Sequence, residues 1–262
     1  MSNLGPSHFI SLKDENWISR QRIAGKCVGK VLRTLNKLVK AGGVNLKDLE
    51  NEAQKIITEH DCTPTFHGYK GFPGILCLSV NQQLVHGIPV DYNLQDGDVV
   101  KFDVGATYQG AIADAAYTAI VGKPKTETHV RLIDETKKAL MSGIQAAKVG
   151  NRLGQIGYAI HKSVSKTEFG LIVDYGGHGL DENVPHTEPF VSNKSQPNQG
   201  VRLQAGMTLA LEPMLTIGGT QTQVGKDGWT VTTPGIGSHM EHTIFIHPDR
   251  VEIMTDWHEE DI

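Results

Sequence analysis

One short word and one acid occur twice in this chain. Leu94-Gln95-Asp96-Gly97 precedes an apolar run that reaches Asp103, and Leu203-Gln204-Ala205-Gly206 precedes one that reaches Glu212, each acid nine residues after its Leu. A polar turn before a strand is commonplace, so the word alone carries little. A carboxylate repeated at the same offset inside an apolar run is a tighter constraint. Helical signals keep step with it: Gly43 precedes Leu46 and Leu49, and Gly150 precedes Leu153 and Ile156 at the same offsets. The chain therefore reads as two helices, strands, two helices, strands, a duplicated α+β unit with halves at about 11–122 and 126–254 in one domain over 1–262.

Ser11 and Asp14 have the form of a capping box, after which Val28, Val31, Leu32, Leu35, Leu38 and Val39 recur at helical spacing until Gly42-Gly43. Asn45 can cap a second helix whose Leu46, Leu49, Ala53, Ile56 and Ile57 form a stripe ending near His60. Helical spacing returns at 127–148 and 153–165. Strand composition marks Ile75 to Val80, Val99 to Val104, Thr208 to Ile217, Glu241 to His247 and Val251 to Met254.

At 262 residues and 39% apolar content the chain is long enough for a substantial core, and its net charge of -4 speaks against broad nucleic-acid binding. The opening MSNLGPSHFI has no basic leader, and nowhere do about 18 apolar residues run together to span a membrane, so the expected compartment is cytoplasmic. Cys27, Cys62 and Cys77 are odd in number and form no CxxC, which predicts reduced core thiols. Asn193-Lys194-Ser195 matches a glycosylation sequon but reads as a loop tripeptide, and Glu259-Glu260-Asp261 as a solvated tail.

The stretch DVGATYQGAIAD, Asp103 to Asp114, isolates two acids in an otherwise uncharged run. A hairpin turning near Tyr108-Gln109 sets them opposite each other on one face, with Cβ atoms about 5 Å apart. Ionised, such a pair destabilises the sheet unless a cation lies between. Glu212 and Glu241 supply an equivalent pair, and four converging carboxylates favour divalent ions, two of them by count. Of twelve histidines, His8, His60, His67, His129, His161, His247 and His258 read as ordinary surface or core residues. His178 in a Gly-Gly-His-Gly loop, His86 in Val-His-Gly-Ile-Pro and His186 in Pro-His-Thr-Glu-Pro have rigid, small-residue settings that can aim a ring into a cleft. HExxH, GxSxG and phosphate-binding loops are absent.

VHGIP, the Asp103/Asp114 pair, GGHG, HTEP, GMTLALEPM, DGWT and MEHT, in this order, resemble the methionine aminopeptidases, specifically the type I bacterial form without an amino-terminal extension. The resemblance runs from the first helix to about Met254. It implies a single catalytic domain of pita-bread fold, a curved antiparallel sheet backed by two helix pairs with pseudo-twofold symmetry. It implies five metal ligands, Asp103, Asp114, His178, Glu212 and Glu241, around two divalent ions drawn from manganese, iron, cobalt or zinc. A water between them attacks the scissile carbonyl with Glu212 as general base, while His86 and His186 hydrogen-bond the amide and the tetrahedral intermediate. Tyr69, Phe72, Cys77 and Trp229 match positions around the family's methionine pocket. The implied activity removes the initiator methionine from nascent polypeptide N-termini with a small second residue, by a monomer near the ribosome.

This chain departs from the family pattern in three places. GLDENVP between His178 and His186 is one residue longer than the common bacterial spacing, with Val184-Pro185 in place of an aromatic; His239 replaces a glutamine; and Ala115-Ala116-Tyr117 follows Asp114. An ionisable His239 two residues before Glu241 predicts an acidic limb in the rate profile. A prolidase or aminopeptidase P relative, and a noncatalytic binding protein on the same scaffold, are the competing readings. The first normally carries an extra amino-terminal domain, and the second usually loses ligands that are complete here.

Overall fold

The computed structural model describes residues 10–257. The MSNLGPSHF opening with His8, and His258 with the Glu259-Glu260-Asp261 tail, lie outside the described residues.

Helices α1 (Glu15–Ala41) and α2 (Leu46–Glu59) form where the apolar stripes predict them. The start of α1 differs from the capping-box expectation. Asp14 itself accepts the Trp17 N–H as N-cap, so Ser11 lies outside the helix. Val28, Val31, Leu32 and Leu35 are buried against the sheet, each worth about 2 kcal/mol by removal from water. Asn45 caps α2 by accepting the Lys47 N–H.

Next come β1 (Thr63–Pro64), β2 (Cys77–Val80), β3 (Gln83–Val85), β4 (Val99–Tyr108) and β5 (Ala111–Ile120), then α3 (Glu127–Ala146) and α4 (Leu153–Val164). The remaining strands are β6 (Gly170–Leu171), β7 (Gly176–Asp181), β8 (Val184–Ser192), β9 (Thr208–Leu211), β10 (Met214–Thr216), β11 (Gln223–Val224), β12 (Val231–Thr232), β13 (Gly237–His239), β14 (His242–Ile246) and β15 (Val251–Ile253). All pairings are antiparallel. β5 runs along one edge of β4, with β2 and β1 in tandem along the other. A five-stranded sheet has the order β15-β14-β9-β7-β8, and β13-β10-β6 and β11-β12-β3 form two small sheets. One large apolar core fills the space between helices and sheets.

The repeated word keeps its backbone bonds in both places. Leu46 N–H donates to Tyr92 O and Leu153 N–H to Val201 O, Leu94 N–H to Val44 O and Leu203 N–H to Asn151 O, and Gly97 N–H to Val121 O and Gly206 N–H to Ile246 O. In each case the turn ties the start of the second helix of a pair to the strand behind it.

Three expectations change. The β4–β5 hairpin turns at Gln109-Gly110, one residue later than read from sequence, with φ of 45° and 84°. A two-residue hairpin of type I′ needs positive φ at both turn positions, which Gly110 accepts without steric cost. Asp103 therefore faces Ala116, and Asp114 faces Gly105, so the acids are diagonal neighbours on one face instead of directly opposed. Secondly, the expected strands at 208–217 and 241–247 are interrupted. Pro213 has no N–H for a ladder, which separates β9 from β10, and Met240-Glu241 lie between β13 and β14. Thirdly, the Gly-Gly-His-Gly segment is strand β7, not a loop. Its glycines permit close packing: a Cβ on Gly177 would stand 2.1 Å from the Ala210 carbonyl oxygen.

No helix among the described residues is long and apolar enough to cross a membrane. The three cysteines are free and buried, as expected.

Candidate metal centre and pocket

β4 brings in Asp103 and β5 brings in Asp114 from the middle of a continuous ladder. His178 comes from β7, while Glu212 and Glu241 stand one residue beyond the last rung of the β9–β14 pairing, Leu211 with His242. The two sheets are joined here. The Thr243 hydroxyl accepts the Asp114 N–H at 2.8 Å and donates to the Asp114 carbonyl at 2.7 Å, and the Glu241 N–H donates to Ala116 O at 2.9 Å.

The five groups converge. Asp103, Asp114 and Glu241 each offer an oxygen within 4.8 Å of the others, and a His178 ring nitrogen lies as close to oxygens of Glu212 and Glu241. His178 Nδ1 meets Gly179 O at 3.1 Å, which fixes the proton there and leaves Nε2 as a lone pair. That Nε2 lies 3.9 Å from Asp114, 3.7 Å from Glu212 and 4.0 Å from Glu241. Such spacings are too long for hydrogen bonds and leave room for a cation between donors. Asp103 Oδ1 and Asp114 Oδ1 are buried and find no hydrogen-bond partner among the described residues. Buried polar atoms normally find partners, and two orphaned acceptors facing further carboxylates fit divalent ions well.

Electrostatics carry the same mark of crowding. Burial raises Asp103 and Glu212 to about 7, and burial together with neighbouring acids pushes Asp114 and Glu241 well above the usual carboxylate range. Burial lowers His178 and takes His86 to about 4, so both imidazoles are neutral at neutral pH. His186 is lowered in the same direction by burial, although its open surface at the cavity mouth lets water moderate the shift.

The acids form the floor of a cavity of about 610 Å³. All eleven site residues anticipated from sequence line it: Tyr69, Phe72, Cys77, His86, Asp103, Asp114, His178, His186, Glu212, Trp229 and Glu241. Phe66, Phe72 and Cys77 make one apolar wall, with Trp229 packed against them and set edge-on to Phe72 at 5.2 Å. His186 stacks on Tyr69 at 5.5 Å, and its ring lies 4.2 Å from that of His178. His86 has a positive φ of 58°, uncommon outside glycine, which turns its ring toward Trp229 and Tyr175.

His186, anticipated as a hydrogen-bonding residue, also offers a donor atom close to those of Asp114 and His178. Sequence reasoning missed other participants. Phe66, which belongs to no motif, and Met214, the last residue of GMTLALEPM, also line the cavity. Asn193, read as a loop residue, is fully buried, and its amide donates to the carbonyls of Tyr175 and Glu212 at 3.2 Å each. His239, which the sequence already singles out as a departure, lies behind the cavity, with Nε2 3.3 Å from Glu212 Oε2. Burial lowers it to about 4, with Asp103 pulling the other way.

The chain belongs to metallopeptidase family M24, whose model matches residues 19–248. Among its relatives, a methionine aminopeptidase of Clostridium perfringens is 41% identical over 94% of this chain and 99% of its own length. One of Mycoplasma capricolum is 39% identical over 94% and 98%. The crystal structure of the methionine aminopeptidase from Thermotoga maritima superposes with a TM-score of 0.91 at 38% identity, covering 95% of this chain and all of that one. The pita-bread fold implied by the sequence motifs is the fold observed.

Proposed function

We propose that this protein is a metal-dependent methionyl aminopeptidase, a metalloexopeptidase that removes the first methionine from polypeptides whose second residue is small. The observation that carries the reading is the convergence of four carboxylates and one neutral imidazole at the floor of an aromatic-walled pocket. In this reading the chain is one catalytic domain of two related halves. Asp103, Asp114, His178, Glu212 and Glu241 would hold two divalent ions. Manganese, iron, cobalt and zinc all suit this oxygen-rich donor set with one imidazole.

When bound, such ions polarise the scissile carbonyl and let water act as a nucleophile near neutral pH. The remaining tasks fall to the chain. Glu212 is placed to accept a proton from the attacking water and pass it to the leaving amine. His86 and His186, neutral through burial, each keep one N–H to donate to the amide and to the oxyanion as charge develops there. Phe72, Cys77, Tyr69 and Trp229 take the unbranched thioether, for which soft sulfur against aromatic rings is a favourable contact. The substrates are nascent chain N-termini, met in the cytoplasm close to the ribosome by a monomer.

Hydrolysis of Met-Ala-Ser beside Met-Leu-Ser, Leu-Ala-Ser and Ala-Pro-Ser by metal-reconstituted protein tests the reading. Cleavage confined to Met-Ala-Ser supports it. Turnover of the proline peptide alone, or peptide retention without turnover, overturns it.

A further inference from the structure

Three buried polar side chains stand on one rung of the first sheet. Ser79 on β2, Lys101 on β4 and Thr118 on β5 are register partners, each 1% exposed, and none of them lines the cavity. Each grips the backbone of a segment that leads to a site residue. Ser79 Oγ accepts the N–H of Gly87, directly after His86, at 3.0 Å. Thr118 Oγ1 accepts the His239 N–H at 2.9 Å and donates to the His239 carbonyl at 2.6 Å, two residues before Glu241. Between them, Lys101 Nζ donates to Asn81 O at 2.7 Å and to Val99 O at 3.2 Å.

The lysine is the odd member. A buried lysine is costly to a fold; burial holds its amine well below the usual lysine range, and it donates to neutral carbonyls that already take backbone N–H groups. Asn81 O also takes the Gly237 N–H at 3.2 Å, and Val99 O takes the Asn81 N–H at 2.8 Å. What the Lys101 amine adds is a fixed junction. Asn81, at φ 54°, is the turn between β2 and β3, and β3 runs into His86; Gly237 opens β13, which runs into His239 and then Glu241.

We infer that the Ser79–Lys101–Thr118 rung is a positioning device: it sets the segments bearing His86 and Glu241 relative to Asp103 and Asp114, with Lys101 as its central clamp. This rests on the aminopeptidase reading for its kinetic consequence and on geometry alone for its structural one. A misplacement of about 1 Å at a reacting group can cost on the order of 100-fold in rate, so a rigid rung behind the site has a large lever.

The test compares Lys101→Met, which keeps the length of the apolar stem, with the pair Thr118→Ser and Thr118→Val. For Lys101→Met the expected result is a fall in kcat on Met-Ala-Ser of about tenfold or more with KM within about twofold, since interactions felt in the transition state are the ones lost. Its urea midpoint stays at or above that of wild type. Thr118→Ser keeps the hydroxyl and the rate; Thr118→Val lowers kcat about tenfold. Imidazole NMR resonances of His86 and His239 in the metal-free protein shift in Lys101→Met and in Thr118→Val but not in Thr118→Ser. Wild-type kcat with unshifted histidines in Lys101→Met overturns the inference, as does a loss of activity that only follows loss of folded protein. If wild type itself cleaves no methionyl peptide, the aminopeptidase reading fails, and the resonance shifts still decide the role of the rung.

Discussion

Removing one acid from the floor of the cavity should strengthen the metal-free fold while ending its ability to hold metal. Asp103, Asp114 and Glu241 present oxygens within 4.8 Å of one another. At that separation two ionised carboxylates repel by about 3.5 kcal/mol with an effective dielectric of about 20. Asp114→Asn deletes two such pairs and leaves an amide donor beside Asp103. Protonation caps the gain, because the crowded acids take up protons before they bear the full repulsion. Asp103 and Glu212 sit at about 7 in the fold, against about 4 in an unfolded chain. A raised folded value means that stability is fully present below about pH 4 and is lost as pH rises through about 7. Chelator-treated wild type should therefore be less stable at pH 8 than at pH 5.5. Asp114→Asn should exceed it by about 2–4 kcal/mol at pH 8 and by much less at pH 5.5. Urea denaturation followed by far-ultraviolet circular dichroism in the presence of a chelator reads both differences. Added Mn²⁺ should then raise the wild-type midpoint and leave that of the variant almost unmoved. A variant no more stable than wild type at pH 8, or a wild type equally stable at both pH values, would refute the crowding argument.

Other outcomes follow from single contacts. Glu212→Gln should fold normally and lose about 10²–10⁴ in kcat on Met-Ala-Ser, and full activity would remove Glu212 from the role of base. Gly177→Ala introduces a Cβ 2.1 Å from Ala210 O and must push β7 away from β9. A loss of about 1–3 kcal/mol in urea and weaker Mn²⁺ binding by calorimetry are expected, with unchanged values refuting the close approach. Glu252 takes two bonds from Arg22, at 2.7 and 2.8 Å, and one from His247 at 2.7 Å, and the Arg22 bonds hold it down at about 2. Because the folded value is depressed, this stability is present above about pH 4.5 and is lost as pH falls through about 2. Glu252→Gln should cost about 1–2 kcal/mol at pH 7 and much less at pH 2.5, measured by urea midpoints.

The residues that bear charge in apolar surroundings were the legible part of this molecule. Asp103, Asp114, Glu212 and Glu241 announced themselves because unpaired acids have no place in such runs, and their equal offsets disclosed the duplication. Helix boundaries were readable where a side chain caps a backbone group, as at Asn45. The strand carrying His178 was not readable, because its glycines suppress the alternation that marks a strand and serve close packing against Ala210 instead. The breaks at Glu212-Pro213 and Met240-Glu241 were missed because β-branched and apolar composition runs straight across them. Asn193 lay in a tripeptide that pointed to the wrong chemistry, and its contact with the Glu212 carbonyl spans nineteen positions that no local pattern reports. The register of the β4–β5 hairpin was off by one turn position, since Gln-Gly is a weaker turn signal than Asn-Gly.

That register sets a rule for how this protein can change over generations. Side chains along a strand alternate between faces, so the two aspartates share a face only while the count of residues between them keeps its parity. An indel of a single amino acid between Asp103 and the tip, if the ladder re-paired around it, would swing one carboxylate to the opposite side and empty half the centre. Viable descendants should lengthen or shorten this loop by twos, or absorb an odd step in a bulge.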